Sequence, residues 1–228
     1  MKLKTLLAAT TACALVAAAP SANAGDLYVS VFGGLNMLAD DSGPANSATD
    51  GTSAWASDAD TGFVLGGTVG TTLDRWAQGL RVEMEVSYRR NDLGGNWFTD
   101  SGDDTGTLDG NLSTFAILAN AWYEFDIGSK MRPYVGGGVG WGRMHGDMVA
   151  VTSDGSDYNT YTSDITESGF AWQLGLGGRY EVSPGVDVGI GYRYFRGPDF
   201  HDFWGGENEG SLENENHAVQ VELKIDIQ

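Results

Sequence analysis

The feature that most limits the fold of this chain is a period of two, repeated eight times along its length. In residues 80–90, Leu80, Val82, Met84, Val86 and Tyr88 alternate with Arg81, Glu83, Glu85, Ser87 and Arg89. Residues 115–127 repeat the pattern, with Phe115, Ile117, Ala119, Ala121, Tyr123, Phe125 and Ile127 set against Ala116, Leu118, Asn120, Trp122, Glu124 and Asp126. Residues 219–227 place Val219, Val221, Leu223, Ile225 and Ile227 against Gln220, Glu222, Lys224 and Asp226. Segments 27–37, 62–73, 133–144, 169–182 and 186–196 follow the same rule less strictly. Successive strand side chains point to opposite faces, so each segment reads as a strand between two different environments.

Connection lengths alternate as well. Short polar turns are expected at residues 74–79, 128–132 and 183–185, whereas loops of about twenty residues follow the first, third, fifth and seventh segments. Loops longer than about 12 to 15 residues are uncommon in a compact soluble domain. Short turns at one end and long loops at the other instead fit a transmembrane barrel. The fold class predicted is therefore all-β, an eight-stranded antiparallel up-and-down barrel.

The face opposite the apolar one decides which side meets lipid. In several segments it is glycine or charge: Gly136, Gly138, Gly140 and Gly142, then Gly175 and Gly177, then Gly189 and Gly191. An eight-stranded barrel is only wide enough inside to be filled by side chains, so Phe32, Trp122, Arg179 and Arg193 need small residues opposite them. Reversing residues 80–90 would drive Arg81 and Arg89 into hydrocarbon at ~2 to 4 kcal/mol for each arginine near the midplane. Hence Arg81, Glu83, Glu85, Arg89, Glu124, Arg179, Glu181, Arg193, Glu222, Lys224 and Asp226 are expected in the lumen, joined in a salt-bridge network that plugs it. Outward aromatics should form two girdles at the membrane interfaces. Phe63, Tyr88, Phe115, Trp141, Trp172, Tyr192 and Tyr194 fall near the long-loop ends; Tyr123, Phe125 and Tyr180 fall near the short turns.

The first 24 residues read as a secretory signal peptide: Lys2 and Lys4, an apolar stretch, and Ala22-Asn23-Ala24 before Gly25, with cleavage expected between Ala24 and Gly25. The barrel domain then occupies residues 25–228, and Cys13, the one cysteine, leaves with the signal. A net charge of −18 argues against a nucleic-acid partner, which needs clustered Lys and Arg.

With Tyr28-Val29-Ser30-Val31-Phe32-Gly33-Gly34 at the start, the stretch from Pro133 through Gly136-Gly137-Gly138 to Gly140, and Gly189-Ile190-Gly191-Tyr192-Arg193-Tyr194, the sequence resembles the eight-stranded outer-membrane β-barrel proteins of Gram-negative bacteria, the opacity-type and OmpA-like surface antigens. That resemblance implies a bacterial outer-membrane location, outer-membrane lipid and lipopolysaccharide as surroundings, a monomer, and roles as envelope scaffold, adhesin or surface antigen. Family members commonly end in an aromatic residue, whereas this sequence ends Ile225-Asp226-Ile227-Gln228, a departure that bears on assembly.

The long loops carry 21 of the 31 acids. They are expected to be solvated surface, with divalent cations and host or environmental ligands as candidate loop partners. Asp58-Ala59-Asp60 and Asp100-Ser101-Gly102-Asp103-Asp104 are only loosely like a calcium loop, so no metal ligands are assigned. Catalysis at the rim would need a nucleophile beside a base. His145, His201 and His217 are the three histidines, and none lies in the His-x-Ser motif of lipid A deacylases. No catalytic residue and no cofactor is expected. The expected role is non-enzymatic, in envelope structure and surface interaction; the alternatives are a narrow pore for small solutes and a lipid-modifying enzyme.

Overall fold

The computed structural model describes residues 27–39, 41–46, 52–99, 105–153, 158–199 and 214–227. The segment expected to be a signal peptide, with Ala24 and Gly25, the Asp100 to Asp104 run, and His201 lie outside the described residues. Ten strands and no helix are found among those described: β1 (Leu27–Leu38), β2 (Asp41–Asn46), β3 (Thr52–Ala59), β4 (Gly62–Thr72), β5 (Leu80–Thr99), β6 (Thr105–Glu124), β7 (Met131–Ser153), β8 (Tyr158–Ser183), β9 (Val186–Arg196) and β10 (Glu215–Ile227).

Eight of these close into a barrel in the circular order β1, β4, β5, β6, β7, β8, β9, β10, every neighbour pair antiparallel. Closure satisfies the main-chain donors and acceptors that an open edge would leave bare, a strict requirement inside lipid. At the tight turns, Gly79, Gly128 and Gly185 have φ of 83°, 71° and 75°, in the left-handed region that costs other residues strain. Two of these turns are fixed further by side chains: Gly79 N donates to Asp74 Oδ1 at 2.8 Å, and Gly128 N donates to Asp126 Oδ1 at 2.9 Å.

The long connections differ from expectation. Residues 91–99 and 105–114 are strand rather than loop, because β5 and β6 stay paired from Leu80↔Tyr123 to Phe98↔Thr105. Likewise β7 and β8 pair from Met131↔Tyr180 to Ser153↔Tyr158. The first connection holds the hairpin β2–β3, and β3 runs against the far end of β5, from Ala59↔Leu93 to Ser53↔Thr99, where β4 has ended. The physical reason is that ladder hydrogen bonds need only a neighbouring backbone, so pairing continues after the apolar alternation stops. In the other direction, the segment read as running to Ile127 leaves the ladder at Glu124, with Phe125 N donating to Pro133 O at 2.8 Å.

Side-chain faces follow the period of two throughout. Val31, Leu65, Met84, Ile117, Val139, Leu176, Ile190 and Val221 are exposed on the outside, while Tyr28, Trp122, Arg81, Glu85 and Arg179 are buried inside. Charge inside and aliphatic surface outside is the arrangement of a protein whose solvent is hydrocarbon.

Candidate functional site in the lumen and at the hairpin end

Near the turn end, Arg179 is the hub. It makes a two-nitrogen contact with Glu222, Nη2 to Oε1 at 2.8 Å and Nε to Oε2 at 3.2 Å, and its Nη1 donates to Glu124 Oε1 at 3.0 Å. Glu124 also meets Arg81 Nε at 2.7 Å, and Arg81 Nη1 reaches Glu83 Oε2 at 3.4 Å. Glu83 accepts from Trp122 Nε1 at 2.7 Å and from the Tyr28 hydroxyl at 3.0 Å. Charge-assisted bonds of this kind are about twice as strong as neutral ones, and a forked arginine contact also fixes geometry. At the end of this layer Lys224 Nζ lies 3.0 Å from Asp187 and 2.6 Å from Asp226.

Not every charge expected in the network joins it. Glu181 faces Arg132 at 3.5 Å on the rim. Glu85 is held by amides, accepting from Asn120 Nδ2 at 2.9 Å and Gln173 Nε2 at 2.7 Å. Arg193 lies over Trp122, 3.9 Å from the ring centre, and Arg89 lies over Phe195 at 3.8 Å while donating to Ser87 Oγ. For these two arginines an aromatic face stands where a carboxylate was expected; a guanidinium is weakly hydrated and planar, so it stacks where an ammonium would not.

Sequence reasoning missed three members of this layer. Tyr28 accepts from Arg81 at 2.9 Å and lies under Lys224, Tyr134 presents its ring to Arg81, Arg179 and Arg193, and Asp187 binds Lys224. Parity was the available signal: Tyr28 shares a face with Ser30 and Phe32, Tyr134 with Gly136, and Asp187 with Gly189 and Arg193. Glycines make room for the bulk. A Cβ at Gly136 would lie 2.6 Å from Trp122 Cε3, and one at Gly175 would lie 2.7 Å from Arg193 Cδ.

Above the charged layer the lumen changes character. Asn36 Nδ2 donates to Asn91 Oδ1 and to Asn216 Oδ1, each at 2.6 Å, and Asn216 passes the chain to Asn214 and Thr114. Beyond this amide layer, Leu38, Leu93, Leu112 and Met144 form a buried apolar cluster with Ile165 against it. The hairpin end of the lumen is thus filled by a small apolar core, of which Leu38, Leu93 and Leu112 fall in segments expected to be loops and Met144 at the end of an expected strand.

On the outer surface, Phe63, Tyr88, Phe115, Trp141 and Tyr192 are exposed near the hairpin end of the apolar belt, with Trp172 and Tyr194 half-buried beside each other, ring centres 5.2 Å apart. Tyr123, Phe125 and Tyr180 are exposed near the turn end, the first two in edge contact at 5.0 Å. Just beyond the upper ring, His145 Nδ1 is 3.0 Å from Thr166 Oγ1, and the Tyr192 hydroxyl is 2.5 Å from His217 Nδ1.

The comparisons with known proteins agree with this architecture. Residues 5–224 match the family model described as the outer membrane protein beta-barrel domain. An outer membrane protein of Gluconacetobacter diazotrophicus is 32% identical over 211 residues, covering 85% of this chain and 52% of that protein. Outer membrane protein PagN of Salmonella typhimurium is 24% identical over 120 residues, covering 50% of this chain and 48% of that protein. The chain therefore spans about half the length of the curated relatives it matches. The crystal structure of OprG from Pseudomonas aeruginosa shares the fold, with a TM-score of 0.50 at 14% identity over 90% of this chain and 98% of that one. Closed antiparallel geometry, an apolar outer belt and a family match over nearly the whole length lead to one conclusion: the chain belongs to the outer membrane beta-barrel protein family and resides in the bacterial outer membrane.

Proposed function

We propose that this protein is a sealed, non-enzymatic barrel that anchors its long β-hairpins outside the cell, where they serve envelope structure and surface contact. The observation that carries this reading is the filling of the lumen from end to end. Arg179, Glu222, Glu124, Arg81 and Glu83 occupy the turn end, an asparagine chain crosses the middle, and Leu38, Leu93, Leu112 and Met144 close the hairpin end. Among the described residues the interior charges pair, stack on aromatic rings or, for Glu85, accept amide hydrogen bonds, so an ion would have to break a buried network to pass, at a cost of several kcal/mol. The turns and the termini face the periplasm in this reading. The aromatic rings of the outer face sit at the two lipid interfaces, and lipid and lipopolysaccharide surround a monomer.

Against catalysis stands the surroundings of the rim histidines. The oxygen hydrogen-bonded to the His145 ring belongs to Thr166, and that at the His217 ring to Tyr192, with the nearest carboxylates 3.5 Å away. Neither arrangement presents an activated serine. Planar-bilayer recording of the folded protein tests the seal: the expected trace is that of the bare membrane, and a large, steady conductance would replace this reading with the pore. Joint replacement of His145, His201 and His217 is expected to leave the lipid profile of the cell unchanged.

A further inference from the structure

We propose that His145, Asp147 and Asp164 form a binding site for a first-row divalent transition metal, with Zn2+ as its representative, on the outer wall of the β7–β8 hairpin. These three residues place one ligand atom each within 4.8 Å of one another. His145 and Asp147 lie two apart on β7, hence on one face, and Asp164 stands directly across from Asp147 on β8. All three point outward from β7 and β8, where solvent reaches them.

The imidazole is oriented for the task. Thr166, the cross-strand partner of His145, holds Nδ1 at 3.0 Å. With the proton on Nδ1 donated to Thr166 Oγ1, the Nε2 lone pair faces Asp147 Oδ2 at 3.5 Å. Two acceptors then face each other, and Asp164 Oδ1 stands 3.5 Å from Nδ1, so one ligand atom from each of the three residues falls within reach of a common cation. A metal-bound histidine characteristically donates its remaining N–H to an oxygen in this way, which fixes its tautomer and its ring plane. Like charges directly opposite on paired strands are destabilising, and Asp147↔Asp164 is such a pair. A cation between them relieves that repulsion.

The donor set chooses the metal. One imidazole nitrogen with two carboxylate oxygens suits Zn2+ and its first-row neighbours, leaving positions open for water or an anionic group. Calcium takes oxygen ligands alone and gains little from the histidine.

Calorimetric titration of Zn2+ into the folded full-length protein in detergent tests the site. The expected result is one saturable site that calcium at equal concentration does not displace. His145→Ala, Asp147→Asn and Asp164→Asn each weaken it by about tenfold or more, and Thr166→Val by less. His217→Ala leaves it unchanged. Absence of saturable binding in the native protein overturns the proposal, as does undiminished affinity in His145→Ala. Because these residues are exposed, the variants retain the fold, which unfolding in detergent verifies. Nitrogen-15 spectra of the histidines give a second reading: Zn2+ should shift Nε2 of His145 while Nδ1 keeps its proton, and a shift at Nδ1 instead contradicts the assigned orientation.

Discussion

Along β5 to β8 the same strands cross two regions with opposite chemistry. In the belt, outward positions such as Met84, Ile117, Val139 and Leu174 are aliphatic and inward ones such as Arg81, Glu83, Asn120 and Gln173 are polar. A few residues farther along, with parity unbroken, the outward positions become Arg90, Asp92, Asp109, His145, Asp147 and Asp164, and the inward ones Leu93, Leu112 and Met144. Backbone pairing does not change at the crossing; the solvent does. Where hydrocarbon lies outside, charge retreats to the lumen, which it shares with apolar side chains such as Leu118 and Phe195; where water lies outside, charge moves to the outer face and Leu93, Leu112 and Met144 face inward. The appearance of charge on the outer face marks the height of the membrane surface on β5 to β8.

The largest predicted effect breaks the ionic half of this comparison. Arg179→Ala leaves Glu222 and Glu124 without their main counter-charge, and denaturant unfolding in lipid vesicles is expected to show a loss of about 3 to 5 kcal/mol. Next comes the lipid face. Ala119 lies midway along β6 between Phe115 and Tyr123, and Ala119→Arg should cost about 2 to 4 kcal/mol in the same assay.

Breaking the apolar half is milder. Met144→Ala opens the small cluster at the hairpin end, with an expected cost of about 2 kcal/mol, the low end of the usual range for a buried methionine, because few side chains surround it. Smallest of all is Thr107→Arg, on the same outward row of β6 as Ala119 but exposed beyond the belt. Its predicted change is within about 0.5 kcal/mol. A large penalty at Thr107 would place the membrane surface higher than the outer charges do.

The barrel itself was legible in the sequence because hydrocarbon enforces a strict alternation, and the tight turns because Gly79, Gly128 and Gly185 sit among polar residues. The hairpin extensions were not. Once outside the belt, both faces of β5 to β8 carry Asp, Gly, Thr and Asn among scattered aliphatics, and a period of two in such residues is easily read as loop. Leu93 and Leu112 kept their parity but changed sign, so a search for apolar residues on the outward face passed over them. Within the lumen, counting charges found Arg81, Arg179, Glu124 and Glu222, since charge on a strand face is conspicuous. It overlooked Tyr28 and Tyr134, whose inward direction follows from register with Ser30 and Gly136 but which carry no charge to be counted. The partners of Arg89 and Arg193 were hidden for a related reason: stacking on Phe195 and Trp122 depends on which strands become neighbours across the barrel, and no single segment contains that information.

The claim beneath all of this is the assignment of faces, and tryptophan depth measures it directly. Trp141 is exposed on the outer wall, whereas Trp122 is fully buried on the lumen side of β6. In variants that keep one of these tryptophans at a time, reconstituted into vesicles whose acyl chains carry bromine, Trp141 fluorescence should be strongly quenched and Trp122 fluorescence spared. Strong quenching of Trp122 with Trp141 spared would contradict the assignment and turn the barrel inside out.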